Sequence, residues 1–238
     1  MKIFFIGMPR CGTKSFSTFL KENDFKVFDW EPNSRNEINA MYFSGKLNDL
    51  INAQYIKEHE VFEDSPFFHP HLAKFISNYI PDSYFVYFHR PAEDWYISML
   101  RHSDGKTFDN LREHAYTYDR MEELEFLDKN YHGDVNIKSL SIIGLKDHYI
   151  RQYEKHKLKI FSFFRDGNFD KSRFFSASLY DEQKFHKMSN HFNLNCKFLD
   201  DVKVHESRVT LEEVIEKHKH DLSSMTTERI MELHFKNK

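Results

Sequence analysis

The chain reads as an α/β protein, a three-layer α/β/α arrangement around a central parallel sheet, and three stretches of sequence carry that reading. Residues 2–6, KIFFI, form a short apolar run that meets a glycine turn and then SFSTFLKEN, whose apolar residues recur at near-helical spacing. A second apolar burst, FKVFDW at 25–30, follows Asn23 and Asp24, so that strand, helix and strand succeed one another and call for a parallel pair. Residues 83–90, SYFVYFHR, are almost continuously aromatic or β-branched, the pattern of a strand buried on both faces at the centre of a sheet.

The other elements follow in order. From Glu31 to about His59 the chain is polar and helix-compatible, and EVFED at 60–64 reads as a short strand halted by Ser65-Pro66. HPHLAKFISNYIP predicts a helix with Leu72, Phe75, Ile76 and Tyr79 on one face, ending before Pro81. After Pro91 a helix is expected through EDWYISMLRH, and the polar SDGKT at 103–107 predicts a mobile loop. Amphipathic helices are expected over 108–129 and 139–157, and strands over KIFSFF (159–164) and SRFFSASL (172–179). Helices follow around DEQKFHKMSNHF and LEEVIEKHKH, with a last one from about Thr226. No repeat and no Pro/Gly/Ser-rich linker divides the chain, which predicts a single domain over 1–238 with a helical C-terminal segment from about 205.

At 238 residues, 40% hydrophobic, with 25 Phe and 12 Tyr, the chain carries enough apolar surface to bury a core. A net charge of −3 provides no global basic field, so nucleic acid is not an expected partner and any anion site must be built locally. The two cysteines, Cys11 and Cys196, make neither a disulfide framework nor a zinc site, which points to a reducing, cytoplasmic setting. The opening apolar run is too short for a secretory core or a membrane span, and a strand from residue 2 leaves no room for a removable leader. No integral membrane segment is expected.

The segment Gly7-Met8-Pro9-Arg10-Cys11-Gly12-Thr13-Lys14-Ser15 falls between strand and helix, where backbone N–H groups and a helix dipole can cradle a phosphate or sulfate. Gly12 lets the backbone approach the anion, Thr13 and Ser15 offer hydroxyls, and Arg10 and Lys14 supply charge. Against the ATP-binding pattern GxxxxGK[ST] the lysine is displaced by one residue, because Thr13 intervenes after Gly12. A tight turn with no ligand is the bland alternative.

The string IGMPRCGTKSF resembles the phosphosulfate-binding loop of the sulfotransferases that use 3′-phosphoadenosine 5′-phosphosulfate (PAPS), a strand followed by Pro-[Lys/Arg]-x-Gly-Thr. The resemblance implies that Arg10, Cys11, Gly12, Thr13, Lys14 and Ser15 bind the 5′-phosphosulfate, with Arg10 near the bridging oxygen. It also implies that Arg90, at the end of the strongest strand, and Ser98, eight residues later, hold the 3′-phosphate. A fixed guanidinium suits bidentate phosphate binding and a short hydroxyl completes it. A surface ion pair of Arg90 with Glu93 or Asp94 is the structural alternative.

Residues 61–68, VFEDSPFF, are similar to the Glu-Lys-[Ser/Thr]-x-x-[Tyr/Phe]-Phe segment of the heparan-type members, whose glutamate is the base. Glu63 is thus the first candidate base; Asp64, which replaces the lysine, is the closer rival, and His69 and His71 rank behind. HYIRQYEKHKLKIFSFF and ASLYDEQKFHKMSNHFNL resemble late segments of bacterial members; Tyr149, Tyr153 and His156 either line the nucleotide site or belong to the core. The family implies PAPS as donor, 3′,5′-ADP as product, no metal, and in-line transfer to a hydroxyl or amine of a small-molecule or saccharide acceptor. The stretches 31–59 and 103–135, with Arg35, Lys46, Lys106, Arg112 and Arg120, are the candidate acceptor region, with solvated helix faces as the equal alternative. The rivals are a P-loop kinase of a small molecule or nucleoside and a catalytically silent nucleotide-binding protein of the same fold.

Overall fold

A computed structural model describes residues 1–28, 32–107, 110–130, 139–197 and 210–218. The chain forms two compact units, one within residues 1–90 and 155–206 and the other within 91–154 and 207–238.

The first unit opens with strand β1 (Lys2–Phe5) and helix α1 (Thr13–Glu22), then helices α2 (Pro32–Phe43), α3 (Leu47–Asn52) and α4 (Gln54–Glu58). Strand β2 (Val61–Phe62), helix α5 (Pro70–Tyr79) and strand β3 (Ser83–His89) complete its N-terminal part. In the second unit lie α6 (Ala92–Ser103), α7 (Leu111–Thr117) and α8 (Met121–Asn130). Helix α9 (Lys146–Phe164) starts in the second unit and ends in the first, which then adds β4 (Phe174–Ser178) and α10 (Lys184–Phe192). Helix α11 (Leu211–His218) belongs to the second unit. The helix expected from Thr226 lies outside the described residues.

The four strands pair in the order β2-β1-β3-β4, all parallel. Ile3 and Phe4 stand opposite Val61 and Phe62, Phe5 opposite Val86, and Phe88 opposite Ala177. Strand alternation then sends Phe4, Phe85 and Tyr87 to one face and Phe5 and Phe88 to the other. On the first face Phe4 stacks on Phe62 at 4.8 Å, and Phe85 meets Phe164 of α9 at 4.6 Å between ring centroids. Ile38 and Tyr42 of α2 and Leu72 and Ile76 of α5 join the same buried cluster. On the opposite face Phe5 packs on Phe16 of α1, Phe88 meets Phe185 of α10, and Phe19 stacks on Phe185 at 4.3 Å. Helices therefore cover both faces of the sheet, the architecture expected from the sequence.

Several boundaries differ from expectation. KIFSFF is the last part of α9, not a strand: Ile160, Phe161 and Phe164 are buried and face the core while Leu158 and Ser162 are exposed, a helical repeat that a six-residue apolar run conceals. FKVFDW contributes an isolated bridge of Val27 to Val61, and its last two residues lie outside the described residues. The 108–129 helix is broken at Asp119, whose φ of 59° lies in the left-handed region. Residues 139–145 precede α9 instead of opening it, with Ser141 bridged to Lys106. That bridge ties down the 103–107 segment, since Thr107 N–H donates to Leu140 O at 2.7 Å and Ile142 N–H to Gly105 O at 2.9 Å.

The second unit has its own aromatic centre. Trp95, fully buried, stacks on Tyr153 at 4.7 Å. Tyr149 accepts a hydrogen bond from Arg120 Nη1 at 3.0 Å and lies 2.9 Å from His114 Nε2, while Arg120 grips the Glu123 carboxylate through two bonds of 2.7 Å. Tyr149 and Tyr153 are core residues. No helix among the described residues is long and apolar enough to cross a membrane.

Two histidines of the first unit are buried among that unit's own aromatic rings. His156 donates from Nε2 to the Phe68 carbonyl at 2.7 Å, and its Nδ1 has no hydrogen-bond partner, the arrangement of a neutral imidazole. His69 stacks on Tyr42 at 4.7 Å. Burial pushes His156 down to about 4, and burial with His156 nearby pushes His69 down to about 3. Both folded-state values lie below the unfolded 6.5, so the stability these groups contribute is complete above about pH 6.5 and is lost as pH falls from there toward 4 and 3. Urea unfolding between pH 7 and 5 should show stability declining by up to about 1.4 kcal/mol per pH unit per histidine, with a shallower slope in His156→Gln. An unchanged slope in that variant would contradict the buried neutral assignment.

Candidate functional site

Parallel pairing in register brings the carboxyl ends of all four strands to one edge of the sheet, and β1 is flanked by β2 on one side and β3 on the other. The order reverses at β1, which makes its carboxyl end the crevice where ligands of open α/β sheets bind. The loop from Gly7 to Gly12 leaves β1 there, Glu63 and Asp64 follow β2, Arg90 follows β3, and Tyr180 lies two residues beyond β4.

The loop is shaped by a backbone few side chains tolerate. Arg10 has φ 69° and Gly12, the residue preceding α1, has φ 90° and ψ 22°, both left-handed. A Cβ on Gly12 would lie 2.6 Å from Leu179 Cδ1. Cys11 N–H donates to Met8 O at 3.1 Å and the Cys11 side chain is buried, so this residue takes part in the loop's own structure. Phe16 N–H makes the first intrahelical bond, to Gly12 O at 2.9 Å. The first turn of α1 holds no acidic residue, and Gly12 has no side chain to cap it. The N–H groups of Thr13, Lys14 and Ser15 therefore head a helix dipole with no carboxylate in its first turn. Lys14 is exposed, and Thr13 and Ser15 are half-buried.

The guanidinium of Arg90 reaches the backbone of this loop. Arg90 Nη1 donates to the Arg10 carbonyl at 3.3 Å, and Nη2 donates to the Tyr180 hydroxyl at 2.9 Å, with the guanidinium 5.5 Å above the Tyr180 ring. Arg10 is held below its ordinary value first by desolvation and then by the charge of Arg90, while Cys11 and Asp64 oppose the shift. Asp64, with φ 68°, is thus a carboxylate whose charge acts on Arg10. Its neighbour Glu63 is buried, and its carboxylate lies 3.9 Å from Arg35 Nη2.

The structure gathers Arg10, the α1 N-terminus, Glu63, Asp64 and Arg90 at one sheet edge; Ser98 lies on α6 in the second unit. His71 is exposed on the first turn of α5, and His69 and His156 sit in the core. Of the basic residues in the candidate acceptor region, Lys46, Lys106 and Arg112 are exposed, whereas Arg35 and Arg120 are buried. Sequence reading missed Tyr180 as a partner of Arg90, since no motif marks it. It also placed Arg35 on a polar stretch, although its spacing to Ile38, Asn39 and Tyr42 gives it their buried face. Among the described residues no group of three or more His, Cys, Asp or Glu is placed to hold a metal ion.

A parallel sheet with an anion loop at its reversal point, feeding a helix whose N-terminus carries no acidic cap, defines a P-loop-like α/β protein. The chain belongs to the sulfotransferase family: a family model described as a sulfotransferase domain matches residues 2–165, well over half its length. A crystal structure of a sulfotransferase from Alicyclobacillus acidocaldarius aligns with a TM-score of 0.42 and 15% identity, over 93% of this chain and 92% of that one. No curated protein matches the chain.

The left-handed geometry at Gly12 makes a direct prediction. Gly12→Ala should lose about 1–2 kcal/mol of stability in urea unfolding, because an L-residue is strained at this φ and its Cβ must displace Leu179. A variant as stable as the parent would show that the loop relaxes without that strain.

Proposed function

We propose that the chain transfers a sulfuryl group from PAPS to a hydroxyl or amine of a small-molecule or saccharide acceptor. The observation that carries this reading is the contact of Arg90 with the Arg10 backbone beside an α1 N-terminus with no acidic first turn, where the charge of Arg90 acts on Arg10. Two like charges held together in a partly desolvated place are stabilised by an anion that both can reach. A doubly phosphorylated nucleotide has one such group for the loop and another for Arg90.

PAPS supplies an activated sulfuryl group whose transfer leaves 3′,5′-ADP. Within this reading Arg10, Lys14 and the N–H groups at the start of α1 stabilise charge growing on the leaving phosphate. Thr13 and Ser15 add hydroxyl donors, and Gly12 keeps the approach open. Arg90 takes the 3′-phosphate, the role the sequence pattern also assigns to Ser98. Glu63 removes the proton from the acceptor as it attacks sulfur, a contribution of roughly 10²–10⁴-fold. Asp64, whose charge acts on Arg10, is the rival base.

The cofactor class is tested without knowing the acceptor: 3′,5′-ADP should raise the melting temperature more than ADP or Mg-ATP at equal concentration. Stabilisation by Mg-ATP alone would turn the assignment toward a kinase. Arg90→Ala should weaken 3′,5′-ADP binding by about 1.5–3 kcal/mol in calorimetry, the scale of a charge-assisted hydrogen bond. Arg10→Ala should reduce PAPS turnover more than PAPS affinity, and Glu63→Gln should reduce turnover by at least about 10²-fold. Binding without turnover on any acceptor would identify a silent member of the fold.

A further inference from the structure

We propose that Arg35 is the positioning residue of the candidate base, fixing the Glu63–Ser65 bend from α2 and keeping the Glu63 carboxylate ionised and aimed. The proposal rests on the reading of Glu63 as the base. Arg35 is 2% exposed. Its Nη1 donates to two carbonyls, Glu63 O at 2.7 Å and Ser65 O at 2.8 Å, and so spans the bend from one side of Asp64 to the other. One helical turn further along α2, Asn39 Oδ1 accepts from Ser65 Oγ at 3.0 Å. Ile38 and Tyr42, anchored in the core, hold the helix that carries both clamps.

The residue between the clamped carbonyls is the one that needs them. Asp64 sits at φ 68°, a conformation disfavoured for a residue other than glycine, and persists only where its surroundings fix it. Arg35 thus fixes the backbone on both sides of Asp64 while its Nη2 stands 3.9 Å from the Glu63 carboxylate.

As a contribution to folding, Arg35 is a poor choice. Its Nε and Nη2 are buried without hydrogen-bond partners, and the Glu63 carboxylate lies at 3.9 Å, beyond hydrogen-bond reach. A buried guanidinium with so few bonds does less for stability than a well-packed apolar side chain over Phe28 would. What only a cation provides is a field at Glu63. Among the described residues, the charges that the contacts place at the bend are Arg35 from α2 and Asp64 within it, and the charge of Asp64 acts on Arg10 of the β1 loop. His69 and His156, on the segments behind Phe68, are neutral above about pH 4.

The test compares Arg35→Met and Arg35→Lys with Glu63→Gln as reference. Carbon-13 NMR of protein labelled at the glutamate carboxyl, with the Glu63 resonance assigned by its loss in Glu63→Gln, reads the carboxylate without donor or acceptor. Arg35→Met should raise the Glu63 midpoint by about one pH unit or more, a tenfold change in its ionisation constant, and Arg35→Lys should raise it less. Consumption of PAPS with phenol and glucose as probe acceptors should fall about tenfold or more in kcat for Arg35→Met, with KM for PAPS near the parent value and the acid limb of the rate profile displaced in the same direction. A normal melting shift with 3′,5′-ADP shows that the donor side is intact. An unmoved Glu63 midpoint in both variants overturns the proposal. If Glu63→Gln keeps full turnover, the base assignment fails by itself, while the NMR titration still reports whether Arg35 governs that carboxylate.

Discussion

Parallel pairing of β1 with both β2 and β3 is the constraint on which everything else in the first unit depends. It levels the strand ends, so that residues far apart in sequence leave the sheet at one edge: Arg10, Glu63, Asp64 and Arg90. Parallel strands need crossovers, and those crossovers place helices on both faces. The sheet must then be apolar on both sides, which accounts for the continuous aromatic character of β3 and for rings packed from Phe4 to Phe164 on one face and from Phe5 to Phe185 on the other. Rigid, densely packed strands allow the loops beyond them to carry strain. Arg10 and Asp64, both left-handed and neither a glycine, sit in the loops that leave the adjacent strands β1 and β2.

Charge is handled differently in the two units. In the second, Arg120 is matched by a two-point contact with Glu123 and by Tyr149, a closed network that satisfies each partner locally. In the first, Arg10 and Arg90 are brought together despite their mutual repulsion, with the donors of an α1 N-terminus beside them. A closed network is the signature of a group that supports its surroundings. Cations that repel one another at a strand edge do nothing for the fold by their mutual contact, which is how perturbed groups at functional sites differ from structural ones.

Much of this was legible in the sequence because the informative segments are local. A strand, a glycine turn and a helix within fifteen residues identify the loop, and a buried strand ending in arginine identifies Arg90. What stayed hidden has physical reasons. KIFSFF has the composition of a strand, and only the exposure of Leu158 and Ser162 reveals its helical period. Tyr180 is tied to Arg90 by tertiary contact alone. One boundary between the two units falls in the two-residue connection from β3 to α6 and another inside α9, so no linker composition announces either. Arg35 hides among polar residues because a buried arginine that serves a neighbouring backbone looks, in sequence, like any surface cation.

The contact between Gly12 and Leu179 reaches beyond the loop's own geometry. The family model ends at residue 165, having covered the phosphate loop, both carboxylates, Arg90 and Ser98. Leu179, which occupies the space a Gly12 side chain would take, comes from the chain just past β4. A fragment trimmed at the motif boundary would keep each of those residues and still lack the strand that pairs along the whole C-terminal part of β3. It would expose that aromatic strand as a sheet edge, an invitation to self-association. The span the family model covers therefore stops short of the strand that completes the sheet.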